Sequence, residues 1–166
     1  MSFQPVDPAS LHIDPFAAME KDWFLLTAGT PADCNTMTCS WGGLGVLWNK
    51  HTATAYVRHS RHTFRFMEEN DIFTLSFLPE KRDILRFCGS HSGRDCDKIR
   101  SAGLTPVALE GGTAFAEAEL VLVCKKRFAA DLTVSELPED VQHSFYGDND
   151  THKMYIGEII ACYKKA

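Results

Sequence analysis

An antiparallel, mainly β domain with a few short helices is the fold class that this sequence predicts. Runs rich in β-branched and aromatic residues recur about six times between Gly- and Pro-containing turns. The helical stretches between them are short, without the strand–helix–strand rhythm of a doubly wound parallel sheet, which argues for a barrel. The length of 166 residues suits one domain spanning 1–166. A chain of this size buries about 70% of the surface that it exposes when unfolded.

The elements follow in order. Asp14 and Pro15 supply an N-cap and a proline at the first helical position, predicting a short helix over Phe16 to Lys21. Trp23 to Ala28 reads as a strand ending at Gly29-Thr30-Pro31, and Asn35 to Trp41 as a Thr-rich extended segment broken by Gly42, Gly43 and Gly45. Thr52 to Arg58 is a strand, His62 to Asn70 a helix, and Asp71 to Leu78 a strand bounded by Pro79. Lys81 to Cys88 has helical spacing with Gly89 as its terminator, and Asp95 to Ala102 is a short helix closed by Gly103. Ala114 to Lys126 is the longest strand, its Glu117 and Glu119 marking a solvent face. His152 to Lys164 is the last.

Composition narrows the function classes. Hydrophobic residues make up 45% and charged residues 23%, as in ordinary soluble proteins. Seventeen Lys and Arg against 22 Asp and Glu leave a net charge of -5, which argues against a nucleic-acid binder. The longest apolar stretches, Leu120–Cys124 and Ile159–Tyr163, fall far below the ~20 residues that span a bilayer. The opening MSFQPVDPAS lacks the basic start and apolar core of a secretory signal, so a cytoplasmic location without membrane attachment is expected. The six cysteines are irregularly spaced and form no CxxC pair, which suits reduced thiols.

No Walker A loop, GxSxG elbow, HExxH or GxGxxG is present. Three polar segments remain. In Asn35-Thr36-Met37-Thr38-Cys39-Ser40-Trp41, Asn35, Met37, Cys39 and Trp41 face one way and Thr36, Thr38 and Ser40 the other. An ordinary Thr-rich strand and a polar wall for a planar ligand both fit that pattern. Arg58-His59-Ser60-Arg61-His62-Thr63 places two arginines and two histidines just before a helix. A solvated basic turn fits it, and so does a phosphate site in which helix N–H groups and arginine forks meet the anion. Cys88 to Lys98 carries glycines and serines that let backbone N–H groups converge on an anion. Cys88, His91 and Cys96 lack the second ligand pair of a zinc site, so no metal is expected.

In order along the chain, NTMTCSWGGLG, YVRHSRHTFRFMEEND, FTLSF, FCGSHSGRDCDK, AGLTP, the run from Glu117 to Lys126, and HKMYIGEI resemble the flavin reductase-like family, including its flavoredoxin branch. The resemblance runs from about Trp23 to Ile160. It implies a six-stranded, Greek-key FMN-binding split β-barrel, homodimeric, with flavin near the subunit interface. It also implies NADH or NADPH as electron donor to FMN. A flavoredoxin-like carrier, holding FMN tightly between redox-protein partners, is the alternative; a flavin-free interaction domain on the same barrel is a third reading.

Carried over by motif, the resemblance puts Asn35, Met37, Thr38, Ser40 and Trp41 along the flavin and its ribityl chain. It puts Arg58, Arg61 and Thr63 at the phosphate, and Cys88, Gly89, Ser92, Gly93 and Lys98 around the rest of the pocket, with His152 toward the nicotinamide. The family commonly has proline where this chain has His51 and His59. Without that fixed φ, the resemblance implies a less preorganised phosphate loop and looser FMN binding.

Overall fold

The computed structural model describes residues 2–166, which form ten strands and four α-helices. The strands are β1 (Phe3–Val6), β2 (Phe24–Thr30), β3 (Asp33–Cys39), β4 (Gly42–Leu47), β5 (Lys50–Arg58), β6 (Ile72–Phe77), β7 (Pro106–Leu109), β8 (Gly112–Phe115), β9 (Leu120–Asp131) and β10 (His152–Lys165). The helices are α1 (His62–Glu69), α2 (Arg82–Ser90), α3 (Lys98–Ser101) and α4 (Glu139–Phe145).

The main sheet is antiparallel, in the order β3-β2-β6-β9-β10-β5-β4, with β1 paired to the far half of β10. It curls around one core to which every central strand contributes, including Leu26, Met37, Val57, Leu75, Leu122 and Tyr155. A second core, built on Leu25, Leu85, Phe115, Val121 and Val123, lies where α2 and the β7–β8 hairpin cover the outer face of β2, β6 and β9. Each such side chain stabilises the fold by ~1.5–3 kcal/mol on burial. Consecutive strands β5 and β6 are separated in the sheet by β10 and β9, so α1 crosses between them and packs on β2, β3 and β5. That crossing sets the start of α1 against β3.

The split-barrel class stands, with eight strands in the main sheet where six were expected. One addition is β1; the other is β4, since the extended segment ends before Gly42 but Gly42, Gly43 and Gly45 then pair with β5 as a strand of their own. A Cβ on Gly42 would come within 2.7 Å of the Thr54 carbonyl and 3.1 Å of Met19 Sδ, so glycine permits this close approach. The run from Ala114 to Lys126 is two strands, not one. Ala118 N–H turns back onto the Phe115 carbonyl at 2.9 Å, and the Glu117 carboxylate accepts from Thr105 N–H, so the glutamates belong to a turn. Helix α2 runs through Gly89 to Ser90, so this glycine does not end it; a Cβ there would meet Thr38 Cβ at an ordinary contact of 3.4 Å. The short N-terminal helix is a wide turn over Ala17–Asp22, and Asp14 accepts from Phe16 and Ala17 N–H as a cap should. No helix among the described residues is long and apolar enough to cross a membrane.

Gly157 lies at a register shift between β10 and β9. A Cβ there would sit 2.5 Å from the Phe73 ring and 2.8 Å from Cys124 Cβ. Gly157→Ala should therefore destabilise the fold by about 1–3 kcal/mol, as overpacking does. Urea unfolding checks this; an unchanged midpoint would show that the barrel yields there.

Candidate functional site

Strand β3 ends the sheet order, so it pairs with β2 on one side and leaves its other side open. Three adjoining cavities run along it. One of about 360 Å³ is bounded by Thr38, Ser40, Trp41, Tyr56, Phe145 and His152. It shares Thr38 and Ser40 with a second of about 440 Å³ under Trp23, Leu85 and Gly89. That one shares Ser90 with a third of about 240 Å³ between the start of α1 and the loop after α2. Together they make one groove with two chemically different ends.

The smallest cavity is cationic. It is lined by Ser60, Arg61, His62 and Thr63 on one wall and by Ser90, His91, Ser92, Arg94 and Lys98 on the other, with no carboxylate. Arg61 is the N-cap of α1 and offers no side-chain cap, so the first-turn amides keep their affinity for an anion. Arg61 also donates to the Gly89 carbonyl at 3.1 Å, and Arg94 to the Ser60 carbonyl at 2.8 Å, which fixes both guanidiniums across the cleft. Burial and the nearby Arg94 charge lower the His62 pKa.

Buried Asn35 joins these walls. Its Nδ2 donates to Thr63 Oγ1 at 2.7 Å and to the Thr36 carbonyl at 3.3 Å. Gly93 lies so close that a Cβ would fall 2.2 Å from Asn35 Oδ1 and 2.9 Å from the His62 ring. Thr38 donates to the Leu85 carbonyl at 2.5 Å, tying β3 to α2.

The opposite end is aromatic. Trp41 stands edge-on to Phe145 at 5.3 Å between centroids and 5.2 Å from the His152 ring. Tyr146 Oη lies 2.9 Å from His152 Nδ1. Burial, and then the Arg58 charge, push the His152 pKa down to about 4, so the imidazole is neutral at physiological pH.

Several sequence-expected residues stand elsewhere than expected. Arg58 does not join the cationic cleft. It donates to the carbonyls of Asp150 and Phe145, pairs with Asp148 and Asp150, and lies 5.5 Å from the Tyr146 ring. Its charge is consumed by the segment it anchors. Lys98, 3% exposed, points its ammonium at the Cys88 and His91 carbonyls, the negative end of α2. Burial lowers its pKa to about 8. It fixes the loop and lends the cleft its charge from beneath. Met37 packs into the inner core while still edging the aromatic cavity. The Cys88 side chain is buried in the second core with its thiol pKa pushed up to about 11, so it meets the site through its backbone.

Asn35, Thr38, Ser40, Trp41, Arg61, Thr63, Gly89, Ser92, Gly93 and His152 all line or brace the groove. Sequence reasoning missed Arg94, Phe145 and Tyr146. Arg94 stood inside a segment already singled out, and the aromatic pair just ahead of His152 was the available signal for the other two. In place of the missing proline, His59 packs on Phe64 at 4.6 Å, and its ring nitrogens lie near the Thr151 carbonyl and the Asp131 carboxylate. All six cysteines are free thiols.

The model of the flavin reductase like domain matches residues 16–166. The chain belongs to that family. No curated protein matches it. Among solved structures, flavoredoxin from Methanosarcina acetivorans shares 24% identity and a TM-score of 0.67, over 87% of this chain and 68% of that one. Flavoredoxin of Desulfovibrio vulgaris (Miyazaki F) shares 22% at a TM-score of 0.67, over 94% and 75%. The FMN-binding protein from Thermus thermophilus with bound p-hydroxybenzaldehyde shares 18% at 0.68, over 98% and 79%. These likenesses establish the split-barrel fold.

The unfolded-state pKa of histidine is near 6.5, above the folded value of about 4 for His152. Its share of stability is therefore present above 6.5 and lost as pH falls through that window, where the unfolded chain holds more protons. An NMR titration should show the His152 ring neutral until pH approaches 4. A midpoint near 6.5 would contradict the buried, tyrosine-bonded geometry.

Proposed function

We propose that this chain is an FMN-binding oxidoreductase that accepts hydride equivalents from NADH or NADPH and passes them to flavin. The observation that carries the reading is one groove joining a carboxylate-free cationic cleft to an aromatic wall along an open strand edge. The donor set fits a flavin mononucleotide in both parts. Arg61, Arg94, the Ser92 hydroxyl and the first turn of α1 suit a phosphate dianion. Thr38 and Ser40 suit a polyhydroxyl chain.

When bound, the flavin supplies the hydride chemistry itself. The chain binds, orients and shields. Backbone N–H groups on the open side of β3, around Thr38 to Trp41, would favour negative charge developing on a ring edge laid against them. Trp41 and Phe145 form an apolar wall beside neutral His152, which Tyr146 holds, and the Arg58 guanidinium that also lines this cavity is paired with Asp148 and Asp150. A homodimer belongs to the same proposal. Its support is apolar surface on Phe16, Val46 and Trp48, exposed by 81%, 69% and 55%.

The test is the visible spectrum of protein loaded with FMN, desalted and mixed anaerobically with NADH or NADPH. A retained flavin band that bleaches supports the reading and names the donor. A band that stays oxidised overturns the nicotinamide step in favour of a carrier between redox proteins. Arg61→Ala should weaken FMN binding roughly 10- to 150-fold, the value of a charged hydrogen bond, and leave riboflavin unchanged. Equal losses for both flavins would remove Arg61 from the phosphate.

A further inference from the structure

Strands β9 and β10 are antiparallel neighbours whose pairing begins at Asp131 and Lys153, so a tight hairpin could join them. The chain instead returns through residues 132–151. Loops this long in a compact domain usually carry a function. This strap lies over the aromatic end of the groove. We infer that it is a latched gate, in which Phe145 limits the size of the molecule that reaches the aromatic end and Arg58 is the positioning residue that holds it there. The inference rests on the flavin reading and deepens it, by naming what selects the molecules that exchange electrons at that end.

Packing alone does not hold the strap. Within it Tyr146 is the one buried residue, and α4 contributes no buried side chain. Among the described residues, the hydrogen bonds that reach 133–150 from outside come from Arg58, Ser60 and His152. Arg58 divides its guanidinium between the Phe145 carbonyl at 2.7 Å and the Asp150 carbonyl at 2.6 Å. Ser60 donates to the Asp150 carboxylate through both its amide and its hydroxyl. His59 closes the base, its ring nitrogens 2.7 Å from Asp131 and 3.1 Å from the Thr151 carbonyl, one at each end of the strap. Three consecutive residues thus form the latch. A segment with so little buried surface opens at lower cost than the strands beside it. A guanidinium fork that serves two carbonyls is a contact that lysine does not reproduce.

The latch controls the Phe145 ring. By holding the Phe145 carbonyl, Arg58 keeps that ring edge-on to Trp41, 5.3 Å between centroids, on the wall of the 360 Å³ cavity. Phe145 is 44% and Trp41 43% exposed, so the pair stands at the mouth of the cavity and not in the core. With the strap latched, a small molecule passes and a bulky one meets the ring; with it lifted, both pass.

Two measurements test the gate. Hydrogen exchange of the flavin-free full chain should show the amides of α4 exchanging together and faster than those of β9 and β10. Arg58→Lys should speed the strap about tenfold or more and leave both strands as they were. FMN-loaded protein is then reduced with dithionite and reoxidised by dioxygen or by dichlorophenolindophenol, a bulky two-ring acceptor. Phe145→Ala and Arg58→Lys should each raise the dye-to-dioxygen ratio of rate constants about tenfold or more, while Phe145→Tyr keeps the native ratio. A ratio that neither variant changes overturns the gate. Strap amides that exchange no faster than the strands in both proteins overturn it whatever FMN does. Failure to retain FMN, with the strap exchanging as expected, overturns the flavin reading alone.

Discussion

Three segments distant in sequence come together at the amide of Asn35, and the groove depends on that junction. The side chain is 4% exposed, so its donors and acceptor must find protein partners or cost about 1–3 kcal/mol each. Thr63 at the start of α1 supplies one, and the hydrogen bond fixes the helix N-terminus against β3. Gly93 brings the loop after α2 onto the same amide at a distance that no other residue type permits. The walls of the cationic cleft are therefore set by a polar contact inside the fold, independent of any ligand.

Electrostatics then sort the basic residues into different duties. In a chain of net charge -5, the cleft gathers Arg61, Arg94 and Lys98 with no carboxylate among its lining. Lys98 is neutralised in part by helix-end carbonyls and Arg58 by two aspartates, so neither presents a full charge to solvent. Arg61 and Arg94 each use one guanidinium nitrogen to hold the opposite wall and keep the rest directed at the cleft. Arg58 at the end of β5 and Ser60 two residues on brace the aromatic wall: Ser60 Oγ donates to Asp150 at 2.6 Å while Arg58 grips Phe145 and Asp150. The two ends of the groove thus share a single rigid turn.

Local chemistry made much of this legible in the sequence. The polar stripe of β3, the basic turn before α1 and the Gly/Ser loop before α3 all announced themselves by composition, and the structure assembles them into one groove. Long-range partners did not announce themselves. That Arg58 would turn to carbonyls some ninety residues away, and Lys98 to the end of α2, follows from tertiary packing that no spacing encodes. The glycines were legible only in part. The extended segment does end before Gly42, but that glycine opens a new strand beside Thr54, and Gly89, read as a helix terminator, lies inside α2. The alternation around Glu117 likewise looked like a strand because a tight turn also places its acids outward.

The most direct test of the central claim, that one ligand spans both ends of this groove with its phosphate at the start of α1, is an amide-resolved NMR titration with FMN. The account predicts that the amides of Thr63 and Ser92 at the cationic end and of Ser40 and Trp41 at the aromatic end shift together, with one affinity. Shifts confined to one end, or centred on the exposed β4–β5 hairpin, would contradict it.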